Sequence, residues 1–477
     1  MSETLAIAIT LVVYKIALVV IGLLANRRTH DVGDFFLGGR RLGPWVAAIS
    51  ASASSSSAWT LLGVSGAAYA WGLGALWLFP ACVGGFLLNW FVLAPRLRRH
   101  SAGEASLTVT DVLAGPPGRP RSSTIRWLCT AIVLLSLLAY VAAQFQGAGK
   151  TFHQTFDMST PSAVLLGAGI IVLYTLLGGF WAVSITDTLQ GLVMAAAALV
   201  VPLAALLAVG GPAALLDALA RVDVPGYGSP WRGLPPAAGV AFVLGLLGIG
   251  LGYPGQPHVV NRFMAVRDEG SMVSARRIAI AWAVVMYTGM LVVGWCARVL
   301  LPLLSDPEVA FIETTRTLLH PVLGGVMIAA VLSAVMSTAD SQLLVAASSV
   351  AHDLRRDDAV APAPLRRTRA VVLGLSAVAV ALALWGSQAI FSRVLFAWTA
   401  MGAAFGPLLL VIVVAGPVRP GARLGSIALG FALSVAAYSI EGLAGGPWER
   451  VMPFVVALAV AWWGRESSVG VGRGARP

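Results

Sequence analysis

In the apolar stretch AAVLSAVMSTADSQLLVAASS (residues 329–349), Ala334, Ser337, Thr338 and Ser341 recur at i, i+3, i+4 and i+7. On a helix that spacing places all four on one face. Hydroxyls on such a face, joined by carbonyls of an unwound neighbour, supply the hard oxygen ligands that a small alkali cation takes. The same face would also serve as a small-residue seam between close-packed helices. Asp340 on this helix favours the ion, because an acid inside a membrane span marks a functional position by default.

Two further stretches are unusual. SASASSSSAWTLLG (50–63) sets serines side by side inside an otherwise apolar run. One serine can bond back to its own helix, but a cluster implies either an opened backbone or a very close neighbour. GIGLGYPGQPHVVNRF (248–263) has four glycines and two prolines where a helix should pass. Proline removes a helical hydrogen bond and clashes with the preceding turn. The freed amides and carbonyls are tolerable at membrane depth only beside protein or a water-filled cavity. Both segments are therefore expected to be discontinuous helices with a binding site between them.

Other polar groups are candidates by position. Tyr140 and Gln144 form an i, i+4 pair able to face one cavity, and Tyr253 lies within the second break. Asp187 falls near the end of the fifth predicted span, where it reads equally as a functional or an interfacial acid. Lys15, within the first span, is expected to snorkel or to pack against a neighbour. Cys82, Cys129 and Cys296 lie far apart with no metal-binding spacing and read as small buried hydrophobes. A membrane-embedded hydrolase built on the serines would need a paired base. Within the spans the histidine available is His258, near an end, and neither HExxH nor GxSxG occurs.

The elements that must hold these residues follow from composition. The chain has 477 residues, 58% hydrophobic and 11% charged, with many apolar runs long enough to span a bilayer. This is an all-α polytopic membrane protein. A β-barrel would show short alternating segments instead. About thirteen helices are expected between residues 4 and 464, as one transmembrane domain. The polar stretches 96–124 and 353–369 read as loops, and 465–477 as a disordered tail. The net charge of +11 reflects topology and not a nucleic-acid partner. Arginines such as Arg27, Arg40, Arg96, Arg98, Arg262, Arg267, Arg355, Arg419 and Arg423 crowd alternate loops. That bias places the N-terminus outside and the C-terminus in the cytoplasm of a cell (inner) membrane. The acidic start, with basic residues after the first span, reads as a retained helix and not a signal peptide. Because the interrupted spans lie five helices apart, helices 2–6 (44–209) and 7–11 (235–415) form the halves of an inverted repeat.

The chain resembles the sodium:solute symporter family, most closely its bacterial proline-transporting members. The resemblance rests on DFFLGGRRLGP (34–44), AYVAAQFQGAG (139–149), YTLLGGFWAVSITDTLQ (174–190), GLGYPGQPH (250–258), AVMSTADSQLL (334–344) and AWTAMGAAFGP (397–407), in order and almost end to end. It implies a five-plus-five inverted repeat, with one helix added before it and two after. It also implies sodium-coupled uptake of a small organic solute, proline or a related amino acid. Symport of another carboxylate, monocarboxylate or pantothenate-like, driven by sodium or protons, is the alternative. Carried over by position, the resemblance implies sodium ligation by the backbones of Ala53 and Ser56, the Ala334 carbonyl, and the Ser337 and Thr338 hydroxyls. It implies cation handling at Asp187, solute contacts at Ser57, Tyr140, Tyr253 and Pro257, and a cytoplasmic-side role for Arg40. Two positions depart from the pattern: Ser55 stands where proline symporters have an aspartate, and Ile249 where they have a tryptophan. Asp340 is absent from the proline-type pattern and is expected to return the negative charge missing at Ser55.

Overall fold

The structure, a computed structural model, describes residues 3–26, 37–115, 122–177, 180–353, 365–386 and 389–466. Its regular elements are helices, accompanied among the described residues by two isolated bridges, Leu42 with Val266 and Val418 with Arg465. The main helices are α1 (Glu3–Asn26), α2 (Pro44–Ser55), α3 (Ser65–Trp71), α4 (Leu78–Leu87), α5 (Ala94–Gly103), α6 (Ser123–Phe156), α7 (Thr160–Leu177) and α8 (Phe180–Val209). They continue with α9 (Pro236–Leu247), α10 (Pro257–Met264), α11 (Glu269–Leu300), α12 (Pro321–Ser348), α13 (Leu365–Trp385), α14 (Ile390–Ala415), α15 (Pro420–Ser439) and α16 (Met452–Trp463).

Among the described residues, nine helical stretches are long and apolar enough to cross a membrane, and shorter apolar helices cover Ile7–Ile21 and Thr160–Leu173. The most apolar windows of α12 and α14 are each 83% buried, against 22% for α13 and 28% for α15. The site-bearing helices thus form the centre, and α13 and α15 turn apolar side chains outward.

Both expected breaks are present. Helix α2 stops at Ser55, and Ser56 leaves helical geometry with φ −114° and ψ 74°. The chain then resumes through a wide π-type turn, Trp59–Val64, into α3. The second break begins where α9 tightens into 3-10 turns over Gly248–Gly255, and Gln256 is extended at φ −98° and ψ 97°. Pro257 then opens α10 at a position where its missing N–H has no helical acceptor to lose. Close backbone approach fixes the glycines here: a Cβ on Gly402 of α14 would lie 2.5 Å from the Gly252 Cα, and one on Gly255 would lie 2.6 Å from the Gly402 Cα.

Several expectations shift. Asp187 belongs to α8, the sixth span, and not to the end of the fifth: α7 ends at Leu177 and α8 begins at Phe180. It is fully buried, which removes the interfacial reading. The stretch 96–124 is partly helical, in α5 and in a short turn Val109–Ala114 whose start carries a capping box between Thr108 and Asp111. Residues 354–364 of the second polar stretch and 467–477 of the tail lie outside the described residues.

Candidate functional site

The C-terminal end of α2 meets the middle of α12. The Ser337 hydroxyl donates to the Ala53 carbonyl and to the Ala334 carbonyl, each at 3.3 Å. The Thr338 hydroxyl donates to the Ser54 carbonyl at 3.2 Å. The Ser56 N–H reaches the same Ala53 carbonyl at 3.1 Å. All these residues are buried, and the hydroxyls of Ser52 and Ser56 lack a hydrogen-bond partner. The expected face of α12 therefore does turn toward residues 53–56. Carbonyls at a helix C-terminus carry partial negative charge, and here they converge with buried hydroxyls, a donor set of oxygen alone. Ser55 bonds back to the Ser52 carbonyl at 2.9 Å.

On the other side of the first break lie the expected solute contacts. The Tyr140 hydroxyl donates to the Ser57 hydroxyl at 3.1 Å, and the Gln144 carbonyl oxygen accepts the Ala58 N–H at 3.0 Å. The i, i+4 pair on α6 thus holds both residues that follow Ser56, and the Gln144 amide nitrogen has no partner. Tyr253 is buried too, but its hydroxyl meets Tyr287 of α11 at 2.8 Å. Its ring packs edge-on against Trp398 at 4.7 Å, and Tyr140 faces the same Trp398 at 6.5 Å. Trp398 joins the two tyrosines and donates its indole N–H to the Ile249 carbonyl at 3.1 Å. Pro257 is buried at the start of α10.

Beyond the oxygen cluster, toward the arginine-rich loops, lies a buried ion pair that the sequence reading missed. Arg262, assigned there to a loop, is 2% exposed. It donates to Asp187 Oδ2 at 2.7 Å, to the Ser50 hydroxyl at 2.7 Å, to the Ser341 hydroxyl at 2.6 Å and to the His258 carbonyl. Ser50 and Ser54 also donate to Asp187 Oδ2, at 2.9 and 3.2 Å. Four elements, α2, α8, α10 and α12, are tied together here. Asp187 Oδ1 remains without a partner. Asp340 is buried beside this network; its Oδ1 accepts its neighbour's N–H, from Ser341, at 2.6 Å. His258 is fully buried, both ring nitrogens lack hydrogen-bond partners, and its ring lies edge-on to Tyr140 at 6.2 Å.

Arg40 sits at the same end of the molecule in a short turn before α2. It donates to the Met264 carbonyl at 2.9 Å, the Ser101 carbonyl at 3.0 Å and the Ser106 carbonyl at 2.7 Å. At the opposite end Lys150 pairs with Asp306 at 2.7 Å and Glu308 at 2.5 Å. Glu308 also accepts the N–H groups of Ile390 and Phe391 at the start of α14.

A helical membrane protein with two broken helices crossing at its centre is the architecture of secondary transporters. Residues 35–428 match the profile of the sodium:solute symporter family, and the chain belongs to that family. It is 34% identical to the osmoregulated proline transporter OpuE of Bacillus subtilis, over 95% of this chain and 93% of that protein. It is 34% identical to the sodium/proline symporter of Escherichia coli, over 90% of this chain and 87% of that one. Among solved structures, an outward-open sodium-coupled sialic acid symporter aligns with TM-score 0.77 at 16% identity, covering 96% of this chain and 97% of that one. The nucleobase-cation-symport transporter Mhp1 aligns with TM-score 0.58 at 14% identity, covering 92% and 93%.

Proposed function

We propose that this protein is a secondary active transporter that couples inward sodium movement to symport of proline, by alternating access. The observation that carries the ion is the convergence of the Ala53 and Ala334 carbonyls on the Ser337 hydroxyl, with Thr338 on the adjacent carbonyl. A sodium ion among these oxygens would replace long hydroxyl–carbonyl bonds with short ion–oxygen contacts and would draw in Ser56. Asp187 and Asp340 supply negative charge along the ion's way out.

Ser57, Tyr140, Gln144, Tyr253 and Pro257 form the proposed solute pocket, with Trp398 as its shared wall. The start of α10 presents the positive end of a helix to the centre, which suits a carboxylate. The family and the named proline transporters among its relatives support an amino-acid solute over another carboxylate. They support transport over hydrolysis as well.

Sodium bound between α2 and α12 would fix the geometry of residues 56–58, which Tyr140 and Gln144 hold from α6. Solute affinity then rises with sodium, and sodium affinity with solute, by the same factor. Moving one charge across 100 mV supplies about 2.3 kcal/mol. Release to the cytoplasm requires the Asp187–Arg262 network to part. We assign 44–209 and 235–415 to the two repeats. We infer from the arginine bias that the protein lies in the cell membrane with its arginine-rich loops in the cytoplasm and its N-terminus outside.

The test is uptake of labelled proline into proteoliposomes under an imposed sodium gradient, a proton gradient or neither, beside a panel of monocarboxylates. Accumulation above the external concentration with sodium alone is expected. Accumulation driven by protons alone, or of another acid in preference, would replace this reading.

A further inference from the structure

Tyr253, in the second break, and Tyr287, on α11, are both buried and meet hydroxyl to hydroxyl at 2.8 Å. The Tyr253 ring is held from several sides. A Cβ on Gly85 of α4 would lie 2.2 Å from the Tyr253 Cδ2, so the ring rests directly on that backbone. Phe86 packs against it at 5.3 Å, Trp398 stands edge-on at 4.7 Å, and Asn89 donates to the Tyr253 carbonyl at 3.2 Å. The Tyr287 ring in turn lies 6.5 Å from Trp59, which follows the first break. Tyr287 therefore stands between the two broken helices.

A buried phenol keeps a hydrogen-bond partner, and each hydroxyl has one proton to donate. One tyrosine of the pair spends its proton on the other, and the Cys82 sulfur lies within reach of both for the one left over. Trp398, the wall shared with Tyr140, spends its indole N–H on the Ile249 carbonyl at 3.1 Å. Both polar tips on this side of the proposed pocket are thus used within the protein. On the side of the first break, by contrast, the Gln144 amide nitrogen has no partner. One side of the pocket offers polar groups, and the other offers aromatic carbon.

We propose that Tyr287 is a specificity-determining positioning residue: it takes the Tyr253 hydroxyl out of the solute pocket and leaves a wall that accepts an apolar ring and rejects a hydroxylated one. The inference rests on the proline reading above and deepens it. Tyr287 itself touches no solute. A hydroxyl on the solute's ring would lose its water against this wall and gain no hydrogen bond in return.

The experiment is uptake of labelled proline into proteoliposomes, competed by unlabelled proline or by trans-4-hydroxyproline. It reads the ratio of the two half-inhibiting concentrations for the full-length chain, Tyr287→Phe, Tyr253→Phe and the double variant. The unaltered chain is expected to show a ratio well above one. Tyr287→Phe frees the Tyr253 hydroxyl and narrows that ratio about tenfold, the worth of one hydrogen bond. Tyr287→Met, which also removes the hydroxyl, does the same and serves where the phenylalanine variant fails to fold. Tyr253→Phe and the double variant free no hydroxyl on this wall and keep the ratio of the unaltered chain. A merely structural role would lower uptake without moving the ratio. That result, a ratio near one in the unaltered chain, or equal narrowing in the double variant overturns the inference alone. An unaltered chain that accumulates no proline under a sodium gradient overturns the reading beneath it, and the inference too.

Discussion

Ser337 shows how little a single hydroxyl must do to join two helices. It reaches carbonyls on α2 and α12 at the same 3.3 Å, a length at which neither bond is strong. The proposed sodium ion would complete that arrangement. Ser337→Ala is expected to raise the half-saturating sodium concentration about tenfold, the equivalent of about 1.4 kcal/mol, and by reciprocity to weaken proline binding at fixed sodium; equilibrium binding of labelled proline checks both. The Asp187–Arg262 pair makes a different demand. Arg262→Gln leaves a buried carboxylate alone, a loss of about 3–5 kcal/mol, whereas Asp187→Asn with Arg262→Gln recovers most of that stability while remaining poor in transport. Thermal unfolding in detergent, set beside uptake, separates the two effects. The hydroxyl face of α12 was legible because helical period alone sorts its residues. Arg262 was not, because a first arginine after an apolar run looks like a loop charge until the fold places Asp187, 75 positions away, against it.

The helices carry this lesson further. Glycine and proline announced both breaks, since each disturbs the backbone wherever it stands. The boundary between α7 and α8 was harder to read. Ser184, Thr186, Asp187 and Thr188 look like the polar end of a span, yet Ser184, Thr186 and Thr188 return their hydroxyls to carbonyls of the preceding turn, so the helix continues through them. Where α14 crosses the second break, backbone touches backbone. Gly402→Val therefore has no room at Gly252 and is expected to abolish uptake. Gly374→Ala in α13, where a Cβ meets nothing within 4 Å, leaves uptake intact and gains about 0.5–1 kcal/mol in stability. Uptake and melting of the two variants decide the point.

The two ends of the molecule are held together by different chemistry. At the end opposite the arginines, Glu308 holds Lys150 and the first amides of α14. Glu308→Gln keeps the shape but gives up the charge, so hydrogen exchange at residues 390–394 is expected to quicken about tenfold, read by mass spectrometry. Little of this latch could be foreseen, because its members lie in three separate parts of the chain and none forms a sequence motif.

The arginine-rich end is stitched otherwise. Arg40 donates to carbonyls of residues 101, 106 and 264, Arg98 to those of 266 and 267, and Arg423 to those of 113 and 418. A guanidinium that spends its donors on neutral carbonyls gives up none of its charge. This face therefore keeps a standing positive field even when fully bonded, worth about 1 kcal/mol of attraction to anionic headgroups for each residue near the surface. The bonds that join these segments thus leave their charge free to attract anionic headgroups, and raising salt is expected to weaken that attraction without loosening the bonds.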